Sequence, residues 1–139
     1  MLQGLGVVAA AALAPGCTQA GSDLPNAKSA TCGANLCIDL ADPANQALAT
    51  VGGALLVDST TDTIMVIRQS SADVVAVSAI CTHSGCSMNF NSGQQLLDCP
   101  CHGSQFGEDG HVIRGPARTP LAVYAASLDT AANTITLTP

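Results

Sequence analysis

Two short segments of the chain combine cysteine with histidine at spacings that suit metal binding. The first reads Cys81-Thr82-His83-Ser84-Gly85-Cys86 and the second reads Cys99-Pro100-Cys101-His102-Gly103-Ser104. Fifteen residues lie between His83 and Cys99, which is enough for a strand, a turn and a returning strand. We therefore expect two loops at the tips of adjacent hairpins that meet over one metal site.

Two thiolates and two imidazoles leave three kinds of metal centre open. Tetrahedral zinc accepts this donor set. A mononuclear redox metal would usually keep an open position or include a carboxylate. A [2Fe–2S] cluster can carry two cysteines on one iron and two histidines on the other. Each segment also has a second cysteine, Cys86 and Cys101, in matching places after the ligands. A zinc site has no use for these two residues, so they favour the cluster.

The two segments, together with the Gly115-Pro116-Ala117 step, resemble the Rieske iron–sulfur family. The resemblance covers residues 46–139 and is to the disulfide-containing branch, which includes the iron–sulfur subunits of cytochrome bc complexes and the small subunit of arsenite oxidase. It implies a [2Fe–2S] cluster on Cys81, His83, Cys99 and His102. It also implies a disulfide between Cys86 and Cys101 that pins the loops together, and a proline loop at Gly115 and Pro116 that covers the cluster.

Neutral histidine ligands make such a cluster less negative than one held by four thiolates. Centres of this type lie at about −150 to +300 mV, whereas plant-type ferredoxins lie near −400 mV. The outer imidazole nitrogens are expected to lose a proton in the oxidised state, so the midpoint potential should fall as the pH rises.

Three residues beside the ligands set finer expectations. Ser104 matches the family serine whose hydroxyl donates to a cluster sulfide. Phe106 stands where high-potential members have a tyrosine that donates to a ligand thiolate, so we expect a lower potential than in those members. Ser84 stands where bc-type members usually have a leucine at the quinol pocket. A polar residue there indicates another partner, such as a molybdenum oxidoreductase subunit or a soluble cytochrome.

The rest of the chain predicts an all-β protein. Apolar, β-branched runs separated by turn residues predict short strands, at 54–57, 63–68, 74–80, 87–90, 95–97, 111–113, 121–126 and 133–138. No helix-length amphipathic segment is predicted after the leader. The pattern favours an antiparallel β-sandwich, and the resemblance adds a cluster-binding subdomain at about 78–118.

Bulk properties exclude several functions. A chain of 139 residues has room for one domain and a leader. The net charge of −6, with only four basic residues, argues against nucleic-acid binding. The sequence has no candidate nucleophile and no paired catalytic carboxylates, so any catalysis is expected to belong to a larger complex.

The first 17 residues predict an export signal. Residues 1–16 are uncharged and apolar but shorter than the roughly 20 residues of a membrane-spanning helix. Leu13-Ala14-Pro15-Gly16-Cys17 resembles a bacterial lipobox, which makes Cys17 a candidate for lipidation. The alternative is a retained N-terminal anchor helix.

Residues 18–45 are rich in small and polar residues and predict a tether and entry segment. Cys32 and Cys37 enclose four residues within it, and a local disulfide is favoured over a second metal pair because no further ligand is near. The seven cysteines then divide into two ligands, two disulfides and Cys17. Disulfides indicate an oxidising compartment outside the cytoplasm.

Three functions accommodate these features to different degrees. The first is the electron-transfer subunit of an extracytoplasmic, membrane-associated respiratory or oxidoreductase complex, taking electrons from quinol or a partner redox subunit to a c-type cytochrome. The second is the ferredoxin of an oxygenase system, a branch that normally lacks the second cysteines and works in the cytoplasm. The third is a zinc-binding structural module. The first is the function that we predict.

Overall fold

A computed structural model describes residues 23–139, so the predicted leader and Cys17 lie outside the described residues. Nearly all of the regular secondary structure in the described part is β-strand. In chain order its eleven strands are β1 Ser29–Cys32, β2 Asn35–Asp39, β3 Ala54–Asp58, β4 Thr63–Arg68, β5 Val74–Ser78, β6 Asn89–Asn91, β7 Leu96–Asp98, β8 Gln105–Gly107, β9 Val112–Arg114, β10 Val123–Asp129 and β11 Thr134–Thr138. Within residues 23–139 we find no helix with the length and apolar character needed to cross a membrane.

The strands form two sheets in which all neighbouring strands are antiparallel. The larger sheet has seven strands in the order β1-β2-β11-β10-β5-β4-β3, and the smaller has four in the order β6-β7-β8-β9. The predicted fold, an antiparallel β-sandwich with a small cluster-binding subdomain, is confirmed. The larger sheet forms the sandwich, and the smaller sheet corresponds to the subdomain.

Strands β3 to β5 are buried on both faces, which explains why they read as unbroken apolar runs. On β4, Met65 and Ile67 point into one core and Ile64 and Val66 into another. The first core lies between the larger sheet and the smaller one, where it includes Phe106. The second core lies between β3–β5 and the strands β2 and β11.

The segment predicted as a tether and entry segment, residues 18–45, contains two strands in its described part that the sequence did not predict. Residues 29–39 form β1 and β2, and β2 pairs with β11 through four registered residue pairs. Sequence reasoning missed these strands because small and polar residues dominate them, and their stability comes from the pairing with β11 and from Ile38 in the second core.

The entry segment also connects the two edges of the larger sheet. Leu56 on β3 donates its amide to Pro25 O (3.0 Å) and accepts from the amide of Ala27 (2.6 Å). The chain then turns directly into β1, at the opposite edge. The entry segment thus covers the middle of the β3 edge at Leu56, which hinders pairing with another chain at that point.

A short 3₁₀ helix, Pro43–Ala49, was not predicted. Asp42 begins it by accepting from the amide of Ala44 at 3.0 Å, and proline fits the first helical position. Asn45 within it is fully buried, and its amide group bonds Lys28 N (2.8 Å), Lys28 O (2.9 Å) and Asp39 O (2.8 Å). This one side chain therefore joins the entry segment to the end of β2.

Arg68 ties the helix to the sheet from the other side. It is buried, and its guanidinium donates to three carbonyl oxygens, those of Ser70 (2.6 Å), Ser71 (2.8 Å) and Leu48 (3.2 Å). No carboxylate lies within ion-pair distance of it among residues 23–139. The cation is held by backbone dipoles alone and fixes the turn between β4 and β5.

Candidate metal centre

Each ligand loop contains an equivalent pair of backbone hydrogen bonds. In the first loop, Cys81 N donates to Cys86 O (2.8 Å) and Gly85 N donates to Cys81 O (2.9 Å). In the second, Cys99 N donates to Ser104 O (2.8 Å) and Gly103 N donates to Cys99 O (3.0 Å).

Gly85 and Gly103 have φ values of 74° and 77°, a conformation that glycine adopts without strain. Each loop is therefore a tight turn that begins at a cysteine. The expectation that Cys86 and Cys101 hold matching places is wrong in the backbone, because Cys86 matches Ser104.

The two loops lie at the same end of the smaller sheet. The first follows β5 through Ala79, whose carbonyl accepts from Met88 N at 2.9 Å, and the second connects β7 to β8. The turns β6–β7 and β8–β9 lie at the other end, because successive hairpins alternate. The expectation of two loops on neighbouring hairpins is met.

The loops place their thiols in the interior and their imidazole rings at the surface. Cys81 and Cys99 are buried free thiols, whereas His83 and His102 are exposed. The two rings meet edge to face, with centroids 4.8 Å apart and planes at 85°. The four residues that the resemblance implies as ligands thus belong to one cluster of loops, with the sulfurs inside and the ring nitrogens at the surface.

Burial raises the pKa of the Cys99 thiol, and the adjacent Cys81 thiol raises it further. Two thiols in a dry site lose their protons only when a cation compensates the charge. Buried sulfur donors beside exposed nitrogen donors fit an iron–sulfur group that has one inner and one outer iron. The observed donor set therefore fits the cluster that the sequence predicted.

A disulfide joins the two loops, from Cys86 to Cys101, as the resemblance implied. The sulfurs of Cys86, Cys99 and Cys101 all lie within 4.8 Å of one another. Two of the three belong to the disulfide and offer no thiolate, so this trio is not a separate metal site. The disulfide instead forms one wall of the space beside Cys99.

The proline loop, residues 115–120, contacts the second ligand loop. Ala117 N donates to the buried Ser104 hydroxyl at 3.0 Å, so the Ser104 oxygen accepts from the proline loop and its own proton remains to be donated elsewhere. Thr82 donates its hydroxyl to Thr119 O at 2.6 Å, which ties the first ligand loop to the same segment. The peptide bond between Gly115 and Pro116 is cis.

Phe106 is fully buried in the first core, which also contains Cys81 and Cys99. Its ring carries no donor, as the sequence predicted. Ser84 is exposed between the loops, and its Oγ lies 3.2 Å from His102 Nδ1 and 3.7 Å from Cys86 Sγ. The sequence marked Ser84 as unusual but gave no signal of this contact with the second loop.

Two further cysteines and one further histidine lie apart from this centre. Cys32 and Cys37 form the predicted local disulfide across the β1–β2 hairpin. His111 is exposed beside Asp109 on the β8–β9 turn, and its ring holds the pKa of that carboxyl below the usual range. Neither group contributes to the ligand loops.

Comparisons with known proteins agree with this geometry. The profile of the Rieske [2Fe-2S] domain family matches residues 43–125, more than half of the chain. The cytochrome b6-f complex iron-sulfur subunit of Synechococcus sp. (strain JA-3-3Ab) is 43% identical over 67 residues, which is 48% of this chain and 39% of that protein. The corresponding subunit of Chlorobaculum tepidum is 37% identical over 68 residues, 49% of this chain and 37% of that protein. The match thus spans about two fifths of the length of these relatives.

Solved structures show the same fold. The plasma membrane Rieske protein of the cyanobacterium Synechocystis PCC 6803 aligns with a TM-score of 0.55 and 32% identity, over 60% of this chain and 84% of that one. The ferredoxin of carbazole 1,9a-dioxygenase from Nocardioides aromaticivorans IC177 also has a TM-score of 0.55, at 24% identity over 65% of this chain and 88% of that one, a likeness of fold alone. The chain belongs to the Rieske [2Fe-2S] domain family, and the group that it carries is a [2Fe-2S] cluster.

Proposed function

We propose that this chain is the iron–sulfur subunit of an extracytoplasmic, membrane-associated redox complex and passes single electrons to a c-type cytochrome. The observation that carries the proposal is the built centre itself. Two buried thiols and two exposed imidazoles converge on loops that a disulfide holds together. The curated relatives named above are subunits of cytochrome b6-f complexes, which supports a membrane redox complex as the setting.

Cys81 and Cys99 are proposed as the inner ligands, and His83 and His102 as the outer ones. The chemistry that a bound [2Fe–2S] group supplies is the gain and loss of one electron. The buried cysteines keep water away from the sulfur side, and the exposed histidine edges give an electron a short path to a partner. Ser104, fixed by Ala117, is oriented to donate its remaining proton toward the site, which would favour the reduced state.

Cysteine chemistry supports the proposed location. Two disulfides within residues 23–139 suit an oxidising compartment. We propose attachment to the membrane through the segment before residue 18, by a lipid on Cys17 or by a retained helix. Fractionation of the native host, with mass analysis of the N-terminal peptide, tests this part separately from the redox chemistry.

The ligand assignment is tested by exchanging histidine for cysteine. His83→Cys or His102→Cys retains four ligands but replaces a neutral donor with an anionic one, so the midpoint potential should fall toward the value near −400 mV of all-cysteine clusters. Protein-film voltammetry measures the potential, and electron paramagnetic resonance of the reduced protein reports the ligand field.

His111→Cys is the matched control, because His111 lies on the β8–β9 turn at the far end of the smaller sheet. A potential that moves equally in the His111 variant, or not at all in the His102 variant, would contradict the assignment. A protein that binds zinc and shows no redox wave would refute the function altogether.

A further inference from the structure

The basic side chains of this acidic protein are distributed unevenly. The chain has four of them against ten acidic residues. Arg68 is buried, and Lys28 is paired with Asp42 at 2.7 Å. The other two, Arg114 and Arg118, are both exposed, and no carboxylate oxygen lies within 4.0 Å of either among residues 23–139. They flank the Gly115-Pro116-Ala117 step.

The segment that carries these two arginines lies against both ligand loops. Arg114 ends β9 and pairs with Gln105, which directly follows the second loop. Ala117, next to Arg118, donates to Ser104 in that loop. The carbonyl oxygen of Thr119 accepts a hydrogen bond from the hydroxyl of Thr82 in the first loop. Two positive charges with no ion-pair partner among residues 23–139 therefore belong to a segment that contacts both of the loops that carry the exposed histidines.

Negative charge is scarce within the loops themselves. Residues 79–97 and 99–107 contain no charged side chain apart from their histidines. Asp98 precedes the second loop, is half-buried and accepts from Gln105 Nε2 at 2.7 Å. Asp23 lies beside Asn89 on β6, the strand farthest from β9 in the smaller sheet. We call the end of the molecule formed by the two ligand loops and the proline loop the tip. The tip thus has a basic side at the proline loop, although the protein as a whole has a charge of −6.

The tip also offers no large apolar anchor. The exposed large hydrophobic side chains of the described part are Val51, Ile113 and Val123, none of which belongs to a ligand loop. The loops expose Thr82, Ser84 and the two histidines, together with the smaller apolar side chain of Pro100 and the disulfide-bonded Cys101. A polar, charged tip suits a small transient interface with a soluble redox protein better than a pocket for an apolar quinol.

We propose that Arg114 and Arg118 form a docking site for the acidic surface patch of a redox protein, which places that partner's redox centre against the edges of His83 and His102. This inference rests on the proposed function and names the chemistry of the partner. In the transfer step the partner's oxidised centre gains the one electron that the reduced Rieske protein loses, and no bond forms or breaks.

The test measures electron transfer from the reduced holoprotein to two c-type cytochromes of similar potential, one with an acidic surface and one with a basic surface. Stopped-flow rate constants are recorded over a range of ionic strength. For the Arg114→Gln/Arg118→Gln variant we expect the rate constant with the acidic cytochrome to fall roughly tenfold at low salt. The difference should shrink as salt screens the charges. With the basic cytochrome the same variant should react faster than the wild type.

Two matched variants separate local charge from net charge. Arg114→Gln and Lys28→Gln each remove one positive charge, but Lys28 lies on the entry segment and is paired with Asp42. Arg114→Lys/Arg118→Lys keeps both charges and should keep the rate constant within about twofold. Affinity of the oxidised protein for the immobilised acidic cytochrome, read by surface plasmon resonance, should follow the same order. Midpoint potentials of all variants correct the rates for driving force.

An effect of Arg114→Gln no larger than that of Lys28→Gln would overturn the proposal. So would a rate constant with the acidic cytochrome that depends on ionic strength identically in the wild type and in the Arg114→Gln/Arg118→Gln variant, since the two arginines would then not face the partner. Failure of the proposed function is distinguishable from both, because a chain without a redox cluster reduces neither cytochrome in any variant.

Discussion

The disulfide between the ligand loops is expected to slow the release of the cluster by an amount that can be estimated from the structure. The second disulfide provides an internal control. The perturbation is Cys86→Ser/Cys101→Ser, compared with Cys32→Ser/Cys37→Ser. The first bridge closes a sequence separation of 15 residues and the second one of 5 residues. Chain-entropy arguments give about 3 kcal/mol for the first and about 2 kcal/mol for the second.

Removing either disulfide should lower stability by a similar amount, but only removal of the Cys86–Cys101 bond should loosen the ligand loops. Cys86 and Cys101 lie on the loops that carry the proposed ligands, so their bond restrains the segments that must open before the cluster escapes. Cys32 and Cys37 lie on the β1–β2 hairpin, which belongs to the other edge of the larger sheet and packs through Ile38 into the second core. Since 1.36 kcal/mol corresponds to a factor of ten in rate, a loss of about 3 kcal/mol would speed cluster release by roughly a hundredfold.

The assay follows the visible absorbance of the cluster after dilution into a fixed concentration of urea. We expect release that is roughly a hundredfold faster in the Cys86/Cys101 variant and changed by less than about threefold in the Cys32/Cys37 variant. Equilibrium unfolding by circular dichroism checks that both variants lose global stability. Equal acceleration in the two variants would refute the reasoning, because it would mean that general stability and not the restraint on the loops limits cluster release.

Three further predictions concern Phe106 and Arg68, which are buried, and Tyr124, which is half-buried. Phe106→Tyr should raise the midpoint potential, by about 59 mV if the new hydrogen bond to a ligand sulfur is about 1.4 kcal/mol stronger in the reduced state, as voltammetry would show. Arg68→Met should lower the free energy of unfolding by about 3 kcal/mol in urea titrations, because three carbonyl oxygens lose a charged donor. Tyr124→Phe should cost about 1 kcal/mol at neutral pH, because Tyr124 donates to Asp62 at 2.6 Å. That bond, helped by burial, raises the pKa of Tyr124 to about 12 from 10.0, so its stabilisation is complete below pH 10 and is lost as the pH rises to about 12.

Each of these predictions has a control within the chain. Phe90→Tyr adds a hydroxyl to a half-buried ring on β6 and should leave the potential unchanged; a Phe106→Tyr potential that is unchanged or lower would count against the missing-donor argument. Arg118→Met removes an exposed arginine and should hardly alter stability. For Tyr124, a stability difference between wild type and variant that is the same at pH 7 and pH 12 would disprove the role of the phenol.

The sequence predicted the larger part of the metal centre. Six of the ten cysteines and histidines of this chain lie in two segments of six residues each, and this clustering restricts the donor set whatever the fold around them. Strands β3, β4 and β5 were predicted within a few residues, because unbroken runs of β-branched residues mark strands that are buried on both faces. The Cys32–Cys37 bridge followed from its spacing and from the count of cysteines, and the structure contains it.

Other elements were beyond sequence reasoning because they depend on contacts between distant residues. Strand β8, Gln105–Gly107, has three residues and no alternation to detect, yet it holds the centre of the smaller sheet by pairing with β7 and β9. Asn45 has no signal of its own, and its role arises only when the entry segment and the end of β2 meet around its amide group.

The sequence by itself predicted an all-β protein of the Rieske family and located the proposed cluster ligands in two loops, because metal ligation depends on the identity and local spacing of a few side chains. Only the tertiary structure decided which neighbours those loops have. It brought Thr119 onto Thr82 and Ser84 onto His102, and it left Arg114 and Arg118 exposed on the segment that contacts both loops. The physical reason is that hydrogen bonds and surface charge depend on distances in space, and residues 37 positions apart, such as Thr82 and Thr119, become neighbours only when the sheets pack.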